Sequence, residues 1–331
     1  MARAARAEKR TVVARAPTRI DLGGGWTDVP PYCDNEGGFV CNVAIDRYAV
    51  ATLTEEDSSA ASVPSAPARA ITGDEPLISA ALRRSGVTNA RVSLTNDFPV
   101  GAGLGGSSAA SAALLGALAA WRGDEWDRCA IAEEGRRIEV EELGVAGGRQ
   151  DHYAATHGGA LALTFSTAVD VKRVALTPST RNALERQSLL IYTNESRISG
   201  DTITGVLNAY QNRDRVVLRS LHRMKQLAEE MKDSLELGDV DQLGTLVGEH
   251  WAHQRALHPA IPTSRIDQIV SRATAAGALG AKAMGASGGG CVLVIAPGDN
   301  VERVRQSIAP LGTLLPFRID LEGLVRADKP R

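Results

Sequence analysis

Pro99-Val-Gly-Ala-Gly-Leu-Gly-Gly-Ser-Ser-Ala-Ala-Ser-Ala-Ala-Leu-Leu-Gly-Ala-Leu-Ala-Ala-Trp121 is the segment around which the chain is organised. Four glycines, Gly101, Gly103, Gly105 and Gly106, run into two serines and then a row of alanines and leucines. Without a Cβ, such a loop takes positive φ and brings its backbone close to a bulky ligand. Ser107 or Ser108 suits an N-cap, and the residues after it are strong helix formers. A glycine loop opening a helix presents free N–H groups and the positive end of a dipole, a combination that suits phosphate. The segment is therefore expected to hold the phosphates of a nucleotide.

A rival reading shares these residues. Gly101, Gly103 and Gly106 also fit G-x-G-x-x-G, after a plausible strand Arg91–Leu94 and with Asp124 and Glu125 about twenty residues on, as a dinucleotide fold requires. The doubled serine does not belong to that pattern, and hydroxyls there suit Mg²⁺. No G-x-x-x-x-G-K-[ST] occurs, so the loop is not of the Walker type. The plain alternative is a glycine turn ahead of a buried helix.

The chain has 331 residues, room for two domains or one large one. Hydrophobic residues make up 44% and charged residues 23%, which is ordinary for a globular protein. A net charge of −2 gives no general attraction to nucleic acid or anionic membrane, so any anion site must be local. Cys33, Cys41, Cys129 and Cys291 form no C-x-x-C and suggest reduced thiols in a cytoplasm. The basic N-terminus lacks the apolar core of a signal peptide, and the longest apolar run, Ala109 to Trp121, is too short to span a bilayer.

Residues up to about Arg10 read as a disordered leader and Thr11–Ala14 as a strand, with a turn at Pro17. In the following Thr18-Arg-Ile-Asp-Leu-Gly-Gly-Gly-Trp-Thr-Asp28, Arg19 and Asp21 alternate with Ile20 and Leu22, which puts both charges on one face of a short strand. The glycines then deliver Trp26, Thr27 and Asp28 either to a sugar, an indole beside a carboxylate, or merely to a hairpin with a surface tryptophan. Phe39–Leu53 reads as one strand or a hairpin, with Asp46 and Arg47 facing solvent or a cleft. Asp57–Arg69 reads as a mobile loop and Asp74–Ser85 as a helix. Asp127–Leu143 is an amphipathic helix, ended by Gly144–Gly148. Asp151 follows in the first turn of another helix, a place where a carboxylate can be a capping charge or a base. Gly159–Phe165 and Ser188–Thr193 read as strands, and Ser199–Glu249 as a long helical stretch opening a second lobe. His250, His253 and His258 lack an H-E-x-x-H and read as packing or substrate residues rather than a zinc site. The glycines of Ala275–Cys291, against a strand Val292–Ile295, imply close approach to a ligand or to the other lobe.

Three motifs in this order, Arg15-Ala-Pro-Thr-Arg-Ile-Asp-Leu-Gly-Gly-Gly-Trp-Thr-Asp28, Pro99-Val-Gly-Ala-Gly-Leu-Gly-Gly-Ser-Ser-Ala109 and Lys282-Ala-Met-Gly-Ala-Ser-Gly-Gly-Gly-Cys291, resemble the GHMP kinase superfamily. They bracket nearly the whole chain, and the dinucleotide reading falls away because its fingerprint would have to share the chain with two unrelated glycine motifs. The resemblance implies an α+β, two-lobed fold. Its N-terminal, ATP-phosphate-binding lobe (residues 11–189) would be like domain 2 of ribosomal protein S5, and its helix-rich C-terminal lobe (190–331) ferredoxin-like. Gly-Gly-Gly-Trp-Thr-Asp-Val-Pro-Pro-Tyr is most similar to kinases of the anomeric C1 hydroxyl of sugars, those of D-glycero-D-manno-heptose 7-phosphate and the kinase part of L-fucokinases. Fucokinases commonly carry further domains, which tilts the expectation toward the heptose phosphate.

The resemblance places residues in roles. Asp151 falls on the catalytic aspartate, which reverses the capping reading, and Arg19 on the basic residue beside it. ATP phosphates fall to Gly101, Gly103, Leu104, Gly105, Gly106, Ser107, Ser108 and Ala109. Mg²⁺ falls to Ser108, with Ser107 as the alternative, and to Glu139, with Glu141 one slip away. The sugar falls to Asp21, Gly25, Trp26, Thr27, Asp28, Gln150, Gly288 and Gly289. A second phosphate on the substrate would call on Arg149, Arg197 or Arg255. Trp26 and His152 stand where relatives carry histidine and glutamine, departures expected to bear on substrate choice. Ser287, in place of a glycine, adds a hydroxyl near the phosphates. The expected partners are ATP and a sugar or sugar phosphate, without nucleic acid or membrane; a homodimer stays open. Two rivals remain: a catalytically silent sugar- or nucleotide-binding paralogue, opposed by Asp151, Ser108 and Glu139 together, and a mevalonate diphosphate decarboxylase, opposed by Trp26-Thr27-Asp28.

Overall fold

A computed structural model describes residues 9–56, 75–125, 127–196 and 200–326. Its strands are β1 (Thr11–Gly23), β2 (Gly38–Glu55), β3 (Ala90–Asn96), β4 (Ala160–Phe165), β5 (Val169–Val174), β6 (Ser188–Tyr192), β7 (Gly280–Ala283), β8 (Cys291–Ile295), β9 (Thr313–Leu314) and β10 (Val325–Arg326). Its α-helices are α1 (Tyr32–Glu36), α2 (Glu75–Ser85), α3 (Gly106–Arg122), α4 (Arg128–Arg137), α5 (Gln150–His157), α6 (Pro178–Gln187), α7 (Gly200–Gln211), α8 (Arg215–Leu237), α9 (Val240–Arg255), α10 (Ser264–Ala275) and α11 (Val301–Ile308). The Asp57–Arg69 loop lies outside the described residues, as does most of the expected leader. Arg10 is anchored, its guanidinium 4.5 Å over the Trp121 ring.

The first sheet runs β10-β1-β2-β4-β5, with β3 on a separate part of β2. The chain does not turn at Pro17. β1 continues for 13 residues, and Pro17, which has no N–H to give a ladder, marks a slip in register. Pro17 pairs with Tyr48 and Thr18 with Ile45, so Asp46 and Arg47 are looped out of β2. They face neither the cleft nor bare solvent: the Asp46 carboxylate accepts the Arg318 N–H at 2.7 Å, and Arg47 donates to the Pro316 carbonyl. Beyond the slip, Ile20 and Leu22 enter the core while Arg19 and Asp21 share the opposite face. The Phe39–Leu53 run is a single strand of the 18-residue β2, with β3 along Ala49–Glu55 and β4 along Gly38–Val43. Among the described residues every strand pair is antiparallel, unlike the parallel crossovers on which a dinucleotide-binding fold is built. Helix α3 packs on this sheet, its alanines buried on nearly every side.

The second sheet has the order β7-β8-β6-β9. Every residue of β8 is buried, and period-two alternation explains how. Cys291, Leu293 and Ile295 join the core formed with α8 and α9, while Val292 and Val294 join that formed with α10 and α11. Helices cover both faces, giving the mixed α and β two-lobed architecture. The expected long helical stretch is three helices. The Asp214 carboxylate caps α8, Gly238 (φ 76°) closes it, and Asp239 caps α9. The C-terminal segment crosses back, Ile319 bridging to Ile45 and β10 pairing with β1. Asp127 caps α4, and the expected continuous helix to Leu143 becomes a single π turn over Ile138–Glu142. The cysteines are unpaired, and no described helix is long and apolar enough to cross a membrane.

Candidate active site

A cleft of about 500 Å³ opens between the lobes and gathers the glycine motifs. Its floor is the 99–109 loop. Gly105 (φ 73°) is the residue before α3, so the helix starts at Gly106 and neither serine is its cap. The first intrahelical bond runs from the Ala109 N–H to the Gly105 carbonyl at 3.0 Å. The N–H groups of Gly106, Ser107 and Ser108 precede it and have no helical acceptor, so they form an anion cradle. Gly101, Gly103, Leu104, Gly105, Gly106, Ser107 and Ser108 line the cleft, whereas Ala109 is sealed inside the helix.

Asp151 stands against this cradle. The Arg19 fork clamps its carboxylate, Nε to Oδ1 and Nη2 to Oδ2, each at 2.7 Å, while Arg19 Nη1 donates to the Gly103 carbonyl at 2.6 Å. A Cβ at Gly105 would fall 3.1 Å from the Asp151 carboxyl carbon, so the aspartate lies directly beside the loop. Asp151 makes no capping bond to its own helix, and the capping reading of this residue is set aside.

Beyond Asp151 the wall is acidic. Asp28 is buried, its Oδ2 accepting the Gln150 backbone N–H at 2.9 Å. Burial above all, with Asp151 and Asp21 nearby, pushes its carboxyl up to about 6. Asp21 is equally buried, but Lys282 from the other lobe donates to its Oδ2 at 2.9 Å and to its backbone carbonyl at 2.8 Å. Burial would raise this carboxyl, yet Lys282, with His250 and Arg19, holds it below the ordinary range. Trp26 lines the cleft with φ 80°, its ring mostly within the second lobe's core and its Nε1 buried without a partner. It is not a surface tryptophan. Gly25 and Gln150 complete this wall.

Two expected sugar contacts are absent from the cleft wall. Thr27 is fully buried, its hydroxyl 2.7 Å from the Gly24 carbonyl and accepting the Phe39 N–H at 3.2 Å, so it ties the glycine turn to β2. Gly288 gives its N–H to the Ile261 carbonyl at 2.8 Å. Gly289 does line the cleft. Ser287 also lines it, but its hydroxyl accepts from Gln254 at 2.9 Å. The third glycine motif approaches the 99–109 loop directly, the Cys291 N–H reaching the Ala102 carbonyl at 2.8 Å.

On the far side of the cradle, Glu139 accepts from the Ser107 hydroxyl at 3.0 Å and meets His152 Nε2 at 2.9 Å; Ser108 Oγ lies 3.4 Å from the same nitrogen. Burial would raise the Glu139 carboxyl, but His152 and Ser107 outweigh it and hold the group below its ordinary value. Glu141 points away, toward Arg84 at 3.6 Å. His152 therefore sits on this carboxylate and not among the sugar-facing residues, contrary to the expectation that it bears on substrate choice. Ser107, Ser108 and Glu139 offer hard oxygen donors beside the anion cradle. Such a set fits Mg²⁺, which takes few protein ligands and keeps water and phosphate oxygens.

Of the cations considered for a second phosphate, Arg149 pairs with Glu133 at 2.8 Å and Arg255 with Asp267 at 3.0 Å, neither in the cleft wall; Arg197 lies outside the described residues. Sequence reasoning missed the wiring behind the site. Lys282 was visible at the head of the third motif, but nothing in the sequence pairs it with Asp21. His250 Nε2 accepts the Gly24 N–H at 2.9 Å, a contact 226 residues apart that no local signal announces.

Residues 75–159 match the GHMP kinases N terminal domain and residues 227–310 the GHMP kinases C terminal domain. The chain is 29% identical over 306 residues to the D-glycero-alpha-D-manno-heptose 7-phosphate kinase of Campylobacter jejuni, covering 85% of this chain and 88% of that one. A mevalonate kinase of Thermococcus onnurineus is 31% identical over 246 residues, 72% of this chain and 69% of its own. The solved D-glycero-D-manno-heptose 1-phosphate kinase of Bacteroides thetaiotaomicron superposes with a TM-score of 0.76 at 26% identity, over 97% of this chain and 100% of that one. Cradle, clamped aspartate and these likenesses lead to one conclusion: the chain belongs to the GHMP kinase family. It is a phosphotransferase with a hydroxyl acceptor, and ATP is the phosphate donor.

Proposed function

We propose that this kinase phosphorylates the anomeric C1 hydroxyl of a sugar, with D-glycero-D-manno-heptose 7-phosphate as the substrate and the 1,7-bisphosphate as the product. The observation that carries the reading is the place of Asp151, clamped by Arg19 between the phosphate cradle and the Asp21–Asp28–Gln150 wall. The β- and γ-phosphates of ATP rest on the free amides of Gly106, Ser107 and Ser108. Bound Mg²⁺, held by Glu139 and a serine hydroxyl, would neutralise phosphate charge. Asp151 accepts or orients the C1 hydroxyl proton as the sugar O1–P bond forms and the bond from the γ-phosphorus to the ADP oxygen breaks. An anomeric hydroxyl is more acidic than a plain alcohol, so a carboxylate suffices as base. Arg19 keeps Asp151 aligned and adds positive charge beside the transferred group. Asp28 and Asp21 accept from ring hydroxyls against Trp26.

One observation favours a second reading, an unphosphorylated sugar such as L-fucose. Among the described residues of the cleft wall, Arg19 is the only lysine or arginine, and Asp151 already engages it. A panel of the heptose 7-phosphate, L-fucose, galactose and mevalonate, scored by ADP release and ³¹P NMR of the product, separates these readings. A new C1 phosphate on the heptose phosphate alone is the expected result. Turnover of L-fucose instead moves the substrate but keeps the chemistry, and ATP binding without any turnover leaves a silent binding protein. Asp151→Asn should lower kcat by at least about a hundredfold with the KM for ATP little changed; near-normal turnover would remove Asp151 from the chemistry.

A further inference from the structure

Asp151 and His152 are consecutive on α5, so their side chains leave the helix roughly 100° apart. Asp151 turns to Arg19; His152 turns to the opposite side of the cradle, fully buried, with Nε2 2.9 Å from Glu139 Oε2 and 3.4 Å from Ser108 Oγ. A carboxylate can only accept, so Nε2 must carry the hydrogen. The imidazole then fixes one oxygen of Glu139, while the Ser107 hydroxyl holds the other at 3.0 Å.

The pocket around this ring is shaped for it. A Cβ at Gly135 would stand 3.0 Å from His152 Nδ1 and 2.8 Å from Ser111 Oγ, two buried polar atoms without partners. Only a residue without a side chain leaves room for the imidazole between α3, α4 and α5. Immediately after α4 the backbone widens into the π turn Ile138–Glu142, the turn that carries Glu139; such turns are frequent at functional sites.

We propose that His152 is the positioning residue of the metal carboxylate: its Nε2–H orients Glu139, and its edge spaces Ser108 from that carboxylate. The proposal rests on the reading that Glu139 and the cradle serines hold the divalent cation. Partners that orient a ligating group commonly change metal affinity by about 10–100-fold when removed.

The test is Mn²⁺ binding to the protein–ADP complex, read from loss of the free-ion EPR signal. ADP affinity without metal and Tm are measured alongside. His152→Asn, whose amide is too short to reach Glu139, should raise the Mn²⁺ Kd by about tenfold or more and leave metal-free ADP affinity unchanged. His152→Gln, whose amide nitrogen reaches the position of Nε2, should retain most of the affinity. A merely structural role would not produce this split. If both variants bind Mn²⁺ like the wild type while Glu139→Ala loses it, the proposal for His152 is overturned. If Glu139→Ala itself binds Mn²⁺ normally, the metal reading falls first and takes His152 with it. Should His152→Asn not fold, Gly135→Ala, which keeps the imidazole but displaces it, must weaken Mn²⁺ severalfold; unchanged binding would again overturn the proposal.

Discussion

Three aspartates line one wall of the cleft, and their surroundings divide the work. Asp151 has the Arg19 fork, Asp21 has Lys282, and Asp28 has only a backbone N–H. Asp28 is thus the carboxylate that burial raises, from an ordinary 3.8 to about 6. Between these values the folded state holds a proton that the unfolded chain has lost, so this group's contribution to stability falls as pH rises through that window and then stays low. Asp28→Asn keeps an acceptor for the Gln150 N–H but removes the buried charge. It should stabilise the protein at pH 8 by up to about 3 kcal/mol, with the gain shrinking toward pH 4. Thermal denaturation at both pH values checks this, and an equal shift at both would refute it. The wild type is expected to lose kcat/KM as pH falls through about 6, and the same variant should be at least about tenfold lower in kcat/KM for the sugar and lack that acid limb.

At the scale of elements, the cleft depends on two glycine loops lying against one another. Gly103 has φ 74°, and a Cβ there would fall 2.7 Å from the Met284 carbonyl oxygen of the third motif. Backbone cannot yield as a side-chain tip can. Gly103→Ala therefore combines left-handed strain with a collision that pushes the loops apart. The expected cost is about 2–4 kcal/mol of stability and a raised KM for ATP, because the Gly103 carbonyl also anchors Arg19. Denaturant unfolding with ATP-dependence kinetics checks it; a fully stable variant with a normal KM would show that the loops tolerate separation.

Across the whole molecule, the lobes are joined by polar contacts buried under the first glycine motif. Lys282 on β7 is fully buried and reaches Asp21 on β1; His250 on α9 accepts the Gly24 N–H. Burial pushes the His250 imidazole well below its usual range, in keeping with its acceptor role. Lys282→Met would strand the Asp21 carboxylate without its cation, which commonly costs about 3–5 kcal/mol. Adding Asp21→Asn to it should recover part of that loss. Urea unfolding of the single and double variants measures both effects, and a single-variant loss below about 1 kcal/mol would mean water or Arg19 already compensates Asp21.

Much of the architecture was legible because its signals are local. Glycines before an alanine-rich helix announce a loop opening a helix N-terminus, alternation in Arg19-Ile-Asp-Leu22 puts two charges on one face, and the valine-rich run of β2 reads as strand. The stretch 199–249 reads as helical, but its division falls to the caps Asp214, Gly238 and Asp239. What the sequence determined by itself is therefore the class of loop, the order of the motifs and the residues that carry charge into the cleft. Tertiary structure alone decided their partners. It turned Thr27 inward to tie the turn, gave Glu139 rather than Glu141 to the cleft, sent His152 to that carboxylate, and matched Lys282 to Asp21. The physical reason is range. A backbone preference is settled within a few residues, whereas a buried charge is stable only beside a partner that folding brings to it, 13 residues away in sequence for Glu139 and 261 for Asp21.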